Sequence, residues 1–267
     1  MTHFFRGLWL RLAAALALSV LLSVLPARAV LADGLVIVLD PGHGGDVGED
    51  QGAQYAPYSE KDLTLFTAQL LKAELELYDG VTVLMTRTEN TDVSLSDRVA
   101  FACEAGADFL YSLHFNATGT HTVNGSEIYI SIQKPMYERS FPLAWNTLNE
   151  LRALGFYPKG VRVRIGRSGV TDYYGILRMA SESGLPAAIV EHCYLDNPTD
   201  RAFLASDPTQ VRACAAFAHA DAEAIAKTFR LRSTALGKDY SAFQSLQVQV
   251  PTEIVTVDLT HAALGLP

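Results

Sequence analysis

Val36-Ile37-Val38-Leu39-Asp40-Pro41-Gly42-His43-Gly44-Gly45 joins a β-branched apolar run to a turn rich in Gly and Pro. Four apolar residues in a row, bounded by turn residues, read as a strand covered on both faces, as strands inside a parallel sheet are. The turn leaves an imidazole at the strand's carboxyl end. In α/β sheets that end forms the crevice where ligands and metals bind. Taken alone, a His in a Gly-rich turn is more often a surface-loop residue than a metal ligand, so later segments must decide.

Outward from this stretch the same kind of run recurs. Leu35–Leu39, Val81–Thr86, Phe109–Leu113, Glu127–Ser131 and Ala187–Glu191 read as strands. Amphipathic stretches lie between them: Glu60 to about Leu77, Leu95–Ala105, Tyr137–Leu154 and Thr209–Phe229. The alternation predicts an α/β fold, a mostly parallel twisted sheet with helices on both faces in a single catalytic domain. Neither an internal repeat nor a low-complexity block is visible.

The ends of the chain read differently. Residues 1–29 carry Arg6 and Arg11, an apolar stretch from Leu12 to Leu25, and then Pro26-Ala27-Arg28-Ala29. That order predicts a secretory signal peptide cleaved after Ala29, and hence a secreted or cell-envelope protein. An uncleaved anchor is the alternative, but the stretch is short against the roughly 20 residues a bilayer needs. Residues 30–232 are the expected catalytic domain. Residues 233–267 are an expected extension whose β-prone run, Val248–Leu259, reads as an added strand or a loosely held tail.

The chain carries a formal charge of −8, and setting aside residues 1–29 removes three arginines and no acids. So acidic a remainder excludes nucleic acid as the main partner. Cys103, Cys193 and Cys214 are odd in number and widely spaced, which fits neither a disulfide framework nor a cysteine-based zinc site.

Three further segments carry chemistry. In Tyr58-Ser59-Glu60-Lys61-Asp62-Leu63, Ser59 with Asp62 reads as a helix N-cap with a capping-box variant, which puts Glu60 in the first turn. An acid there suits the helix dipole and also suits cation ligation. Phe109-Leu110-Tyr111-Ser112-Leu113-His114 is a second buried-type strand ending in His. Ala187-Ala188-Ile189-Val190-Glu191 is a third, and it ends in an acid that is costly to bury without a partner or a task. Two imidazoles and two carboxylates are thereby offered to one edge of the sheet.

These runs, together with Thr86-Arg87, Val93-Ser94-Leu95-Ser96-Asp97-Arg98, Phe115-Asn116-Ala117 and Asn197, resemble in content and order the zinc-dependent N-acetylmuramoyl-L-alanine amidases, the type 3 amidases of bacterial cell walls. The resemblance spans roughly Leu35 to Phe229. It implies that His43, Glu60 and His114 hold one Zn2+, and that Glu191 is the catalytic acid/base. The implied reaction is hydrolysis of the amide between the lactyl group of N-acetylmuramic acid and L-alanine. Peptidoglycan is then the partner, the membrane matters only to the signal peptide, and a monomer is expected. The chemistry is consistent, because two imidazoles and a carboxylate leave a fourth tetrahedral position open for water.

The chain departs from the family pattern in two places. His192 and Cys193 follow the acid where small or apolar residues are usual; strand alternation turns His192 away from Glu191, towards the core. The turn from Gly45 to Ala53 is acidic and slightly long. Asn116 reads either as a substrate contact or as a strand-end cap. Arg178, in a group with Arg162, Arg164 and Arg167 beside Tyr173 and Tyr174, reads either as a grip on stem-peptide carboxylates or as part of a solvated face. His121, His219 and His261 lack partners of motif type. A zinc peptidase or deacylase acting on another amide, and a non-catalytic wall-binding module, are the rival readings.

Overall fold

The structure, a computed structural model, describes residues 34–46 and 50–244. The expected signal peptide, part of the acidic turn, the Val248–Leu259 run and His261 lie outside the described residues.

In chain order the elements are β1 (Leu35–Pro41), β2 (Gln54–Tyr55), β3 (Tyr58–Ser59), α1 (Glu60–Leu75), β4 (Val81–Met85), α2 (Leu95–Glu104), β5 (Phe109–Asn116) and β6 (Ser126–Ile130). They continue through α3 (Lys134–Ala153), β7 (Pro158–Arg162), α4 (Gly175–Glu182), β8 (Ala187–Tyr194), α5 (Pro198–Ala205), α6 (Val211–Phe229), β9 (Arg232–Ser233) and β10 (Lys238–Asp239). One six-stranded sheet runs in the order β4-β1-β5-β8-β6-β7.

Strand alternation sorts the core into two layers. Ile37, Leu39, Tyr111, Leu113 and Phe115 point to the side packed by α1, α3 and α6, whereas Val38, Leu110, Ala187 and Ile189 point to the side packed by α2 and α4. Ile37, Val38 and Leu39 are fully buried, as expected of a strand covered on both faces. Burying side chains of this size stabilises by roughly 1.5–3 kcal/mol each. His114 and Glu191 share the α2/α4 face by the same alternation, and His192 lies on the opposite one.

The sheet is parallel except between β8 and β6. The loop from β5 to β6 contains no helix, and without a crossover helix the chain returns in the opposite direction. β7 was not expected from sequence. Its Pro158 and Gly160 are poor strand formers, tolerated because β7 is an edge strand. α4 and α5, eight residues each, were also not expected. The start of α5 nevertheless carries a readable signal, since the Asn197 side chain accepts from the amides of Thr199 and Asp200, with Pro198 following at the first helical position.

Ser59 occupies the N-cap position of α1, but its side chain makes no cap bond, which corrects the capping-box expectation. Its hydroxyl accepts instead from the Gln54 side chain, while the Glu60 amide donates to the Ala53 carbonyl. The small β2–β3 hairpin has taken over the task of starting the helix.

The expected boundary at residue 233 falls inside the β9–β10 hairpin. Ser233 Oγ donates to the Leu77 carbonyl at 2.6 Å, and the Tyr240 hydroxyl bonds Glu223. The extension is thus docked as far as these residues. Among the described residues no helix is long and apolar enough to cross a membrane.

Candidate metal centre

His43, Glu60 and His114 meet at the carboxyl edge of the sheet, each from a different element. His43 follows β1, Glu60 opens α1, and His114 lies near the end of β5. One donor atom from each lies within 4.8 Å of the others. His43 Nε2 is 3.1 Å and His114 Nδ1 3.0 Å from the same oxygen, Glu60 Oε1.

The turn presenting His43 is held by buried cations. Arg98 donates to the carbonyls of Pro41 and His43 at 2.8 Å each, and Arg87 to those of Pro41 and Gly42 at 2.9 Å each. Such support keeps His43 at φ +61°, a left-handed conformation costly for a residue with a side chain. Glycines make room beside it. A Cβ on Gly42 would lie 2.3 Å from the His114 ring, and one on Gly52 would lie 2.5 Å from both Glu60 Oε2 and the His43 ring.

The outer hydrogen bonds decide which nitrogen faces inward. His43 Nδ1 lies 2.7 Å from Asp50 Oδ1, so Nδ1–H donates outward and the Nε2 lone pair points at the cluster. His114 Nε2 lies 3.1 Å from Ser112 Oγ, which in turn donates to Asp40 Oδ2 at 2.7 Å and leaves Nδ1 facing inward. Glu60 is steadied by the amides of Ala53 and Phe115, at 2.7 and 3.1 Å. Imidazoles locked by outer carboxylates are how metal-binding histidines are oriented. The donor set therefore fits a divalent cation.

The electrostatics agree. Burial would raise the Glu60 carboxyl's pKa, yet the hydrogen bonds from His114 and His43 bring it down to about 2. Burial opposes the charge on His43, but Glu60 and Asp50 raise it to about 9. The site thus stabilises positive charge beside Glu60.

Glu191 pairs in register with His114 across β5 and β8. Burial, reinforced by the charges of Glu60 and Glu127, holds its carboxyl well above the usual range. Its Oε2 is buried without a hydrogen-bond partner. A cavity of about 210 Å³ opens beside His43 and His114, lined also by Asp50, Leu95 and Tyr174.

Across this whole arrangement, residues 37–227 match the family model described as N-acetylmuramoyl-L-alanine amidase. The chain belongs to that family. A curated relative, the probable cell wall amidase LytH of Staphylococcus aureus, is 34% identical over 172 residues, covering 64% of this chain and 52% of that protein. The chain thus spans about half the length of the curated relatives it matches. Among solved structures, Cwp6 from Clostridium difficile is 29% identical with a TM-score of 0.65, over 73% of this chain and 29% of that one. The amidase AmiC2 of Nostoc punctiforme is 28% identical with a TM-score of 0.60, over 73% and 97% of the respective chains.

The other residues singled out from sequence fall elsewhere on this amidase fold. Asn116 donates to Glu127 Oε1 at 3.1 Å and accepts from the Ala117 amide, so both ends of its side chain tie down the strand end. Arg178 donates to the Asp172 carbonyl and lines a larger cavity, about 400 Å³, which contains none of the metal-ligand cluster. Arg164 stacks 3.7 Å over the Tyr173 ring. Cys193 is a buried thiol in the core, with its pKa pushed up by burial. Glu74, His219 and Glu223 form a second group of donors, but Lys227 and Lys238 already pair with Glu223.

Asp40, Asp50, Arg87, Arg98 and Glu127 were given no role from sequence. A signal existed for Asp40, since an acid closing a fully apolar strand needs a partner, the argument applied to Glu191. Asp50 lay within a turn noted only as acidic.

Proposed function

We propose that the protein is a zinc-dependent N-acetylmuramoyl-L-alanine amidase, cleaving the amide between the lactyl group of N-acetylmuramic acid and the L-alanine of peptidoglycan stem peptides. The observation carrying this reading is the pairing of a three-donor cluster with Glu191, a half-buried residue whose Oε2 is buried and has no hydrogen-bond partner. His43 Nε2, Glu60 and His114 Nδ1 are the proposed ligands. Two imidazoles and one carboxylate suit Zn2+ with a position left for water. A zinc ion held there supplies Lewis acidity, bringing the pKa of water towards about 7 and polarising an amide carbonyl.

Glu191 supplies the proton handling. Its partnerless oxygen accepts a proton from the attacking water, and its raised pKa lets the carboxyl keep that proton until the leaving amine takes it. Asp50 and Ser112 keep both imidazoles aimed inward, so the ligands need not rearrange. No serine or cysteine nucleophile is required, and Cys193 stays in the core. Residues 1–29 are proposed to direct the chain out of the cell, so that a monomer acts on the wall; N-terminal sequencing of the exported form should begin near Val30.

Metal analysis combined with a peptidoglycan digest tests the proposal. About one zinc per chain is expected, with new L-alanine N-termini and no new reducing sugars. Glu191→Gln should retain zinc while turnover falls by at least about a hundredfold. Another released terminus would favour a peptidase or deacylase. No product from intact wall or soluble muropeptides would overturn the catalytic reading.

A further inference from the structure

β8 carries a bulge between the proposed acid/base and the next strand partner. Glu191 pairs with His114, but Asn116 then pairs with Tyr194, so β8 gains one residue at His192–Cys193. Bulges beside active sites re-aim the side chains that flank them. Side chains hold this one from both directions. Ser126 Oγ donates to the His192 carbonyl at 2.6 Å, and His192 Nδ1–H donates to the His114 carbonyl at 3.0 Å.

Behind His192 lies a polar chain wholly inside the core. His192 Nε2 is 2.8 Å from Asp221 Oδ2 on α6, Tyr111 OH donates to Asp221 Oδ1 at 2.7 Å, and Thr147 Oγ1 lies 3.1 Å from that hydroxyl. His192, Asp221 and Tyr111 are all completely buried. Phe115 stacks on the imidazole at 5.1 Å and Phe217 meets it edge-on at the same distance. An apolar residue would fill this space without the cost of burying polar groups. A fully paired network instead fixes one geometry. Its end at the sheet is the main-chain carbonyl of His114.

We infer that His192, anchored by Asp221 and Tyr111, is a positioning residue that fixes the β8 bulge and with it the placement of His114 relative to Glu191. Helix α6, on the far side of the sheet, thereby braces the metal centre. This rests on the function proposed above, since it gives His114 and Glu191 their roles. The brace belongs to this chain's departure from the family pattern after the catalytic Glu.

The test compares two variants. His192→Phe combined with Asp221→Leu keeps an aromatic ring between Phe115 and Phe217 and leaves no buried carboxylate unpaired; the Tyr111 hydroxyl keeps Thr147 as a partner, and the His114 carbonyl loses the side-chain donor under test. His192→Asn keeps a donor close to the position of Nδ1. Zinc affinity by chelator competition, kcat and KM on a soluble muramyl peptide, and the His114 ring resonances of the metal-free protein are measured alongside thermal unfolding. The Phe/Leu variant should fold, bind zinc at least about tenfold more weakly, lose kcat with KM nearly unchanged, and shift the His114 resonances. His192→Asn should recover part of each. A folded Phe/Leu variant with the parent's zinc affinity and His114 resonances overturns the inference, as does an Asn variant no better than it. If Phe/Leu does not fold, His192→Asn against His192→Gln decides, because Gln places its donor near Nε2; equal zinc affinities and equal His114 resonances then overturn it. A parent that neither binds zinc nor cleaves the amide overturns the proposed function instead, and the metal-free resonances still decide the positioning role.

Discussion

Glu127 faces Glu191 directly across the antiparallel β6–β8 pair, which puts two carboxylates side by side at the end of the sheet. Glu127 is tied down by Tyr194, by Asn116 and by an ion pair with Arg162, so its charge is fixed where it acts on Glu191. Burial raises the Glu191 pKa first, and the neighbouring carboxylates Glu60 and Glu127 raise it further. Glu127→Gln removes one of those charges, a change that favours ionised Glu191. The acid limb of the kcat/KM profile should therefore move to lower pH, because that limb reports the base of the free enzyme. An unmoved limb would assign it to another group.

The glycines around the cluster make a second prediction. Gly42 lies outside the positive-φ range, so alanine is acceptable to the backbone there, yet its Cβ would sit 2.3–2.7 Å from three atoms of the His114 ring. Gly42→Ala should displace that imidazole and lower zinc occupancy while the fold survives. Gly80→Ala is the control, since at φ +72° it adds backbone strain that Gly42→Ala lacks while its new Cβ meets nothing within 4 Å, so it destabilises the chain without touching the cluster. Zinc content and chelated thermal melts of both variants check this. Equal zinc loss in the two would point to general destabilisation.

Asp50 is largely exposed, with a side chain 65% accessible, yet it holds His43 Nδ1 at 2.7 Å. An exposed ion pair is worth little for stability. Orientation of a metal ligand is a different matter, and outer partners of this kind change metal affinity about 10–100-fold. Asp50→Ala should weaken zinc binding into that range and leave the chelated protein's melting temperature nearly unchanged. Parent-like affinity would show that the Gly-rich turn alone orients His43.

The four residues proposed for the site were legible because each closes or opens a run in the sequence. His43, His114 and Glu191 follow apolar runs and Glu60 starts an amphipathic one, although β5 and β8 continue past the expected strand ends to Asn116 and Tyr194. What supports them was not legible. Arg87 and Arg98 reach the turn from β4's end and α2 through contacts that span 45 to 58 positions, and no local pattern encodes such pairings. The reversed direction of β6 escaped notice because a short polar loop in place of a crossover helix leaves the strand's own composition unchanged. β7 was hidden by Pro158 and Gly160, which only an edge position tolerates. The capping-box reading of Ser59 failed because a hairpin two residues per strand supplied the helix start instead.

The last prediction concerns acid stability. Asp40 and Arg98 are 1% and 3% exposed, with Arg98 Nη1 2.8 Å from Asp40 Oδ1. Burial works against the Asp40 carboxylate, but the Arg98 charge and hydrogen bonds from Thr86, Ser112 and Arg98 prevail and hold its pKa below the usual value. An unfolded Asp titrates near about 3.9. Because the folded value is lower, the pair's contribution is complete above about pH 4 and is lost as pH falls through the folded pKa. Asp40→Asn leaves Arg98 buried without its partner and should cost about 3–5 kcal/mol at neutral pH. The variant should also lose less stability than the parent on acidification below about pH 4, since one depressed carboxyl no longer takes up a proton. Denaturant unfolding of chelated protein at several pH values measures both effects without interference from metal loss. Equal acid slopes for variant and parent would mean that the Asp40–Arg98 pair is not what ties this turn's stability to pH.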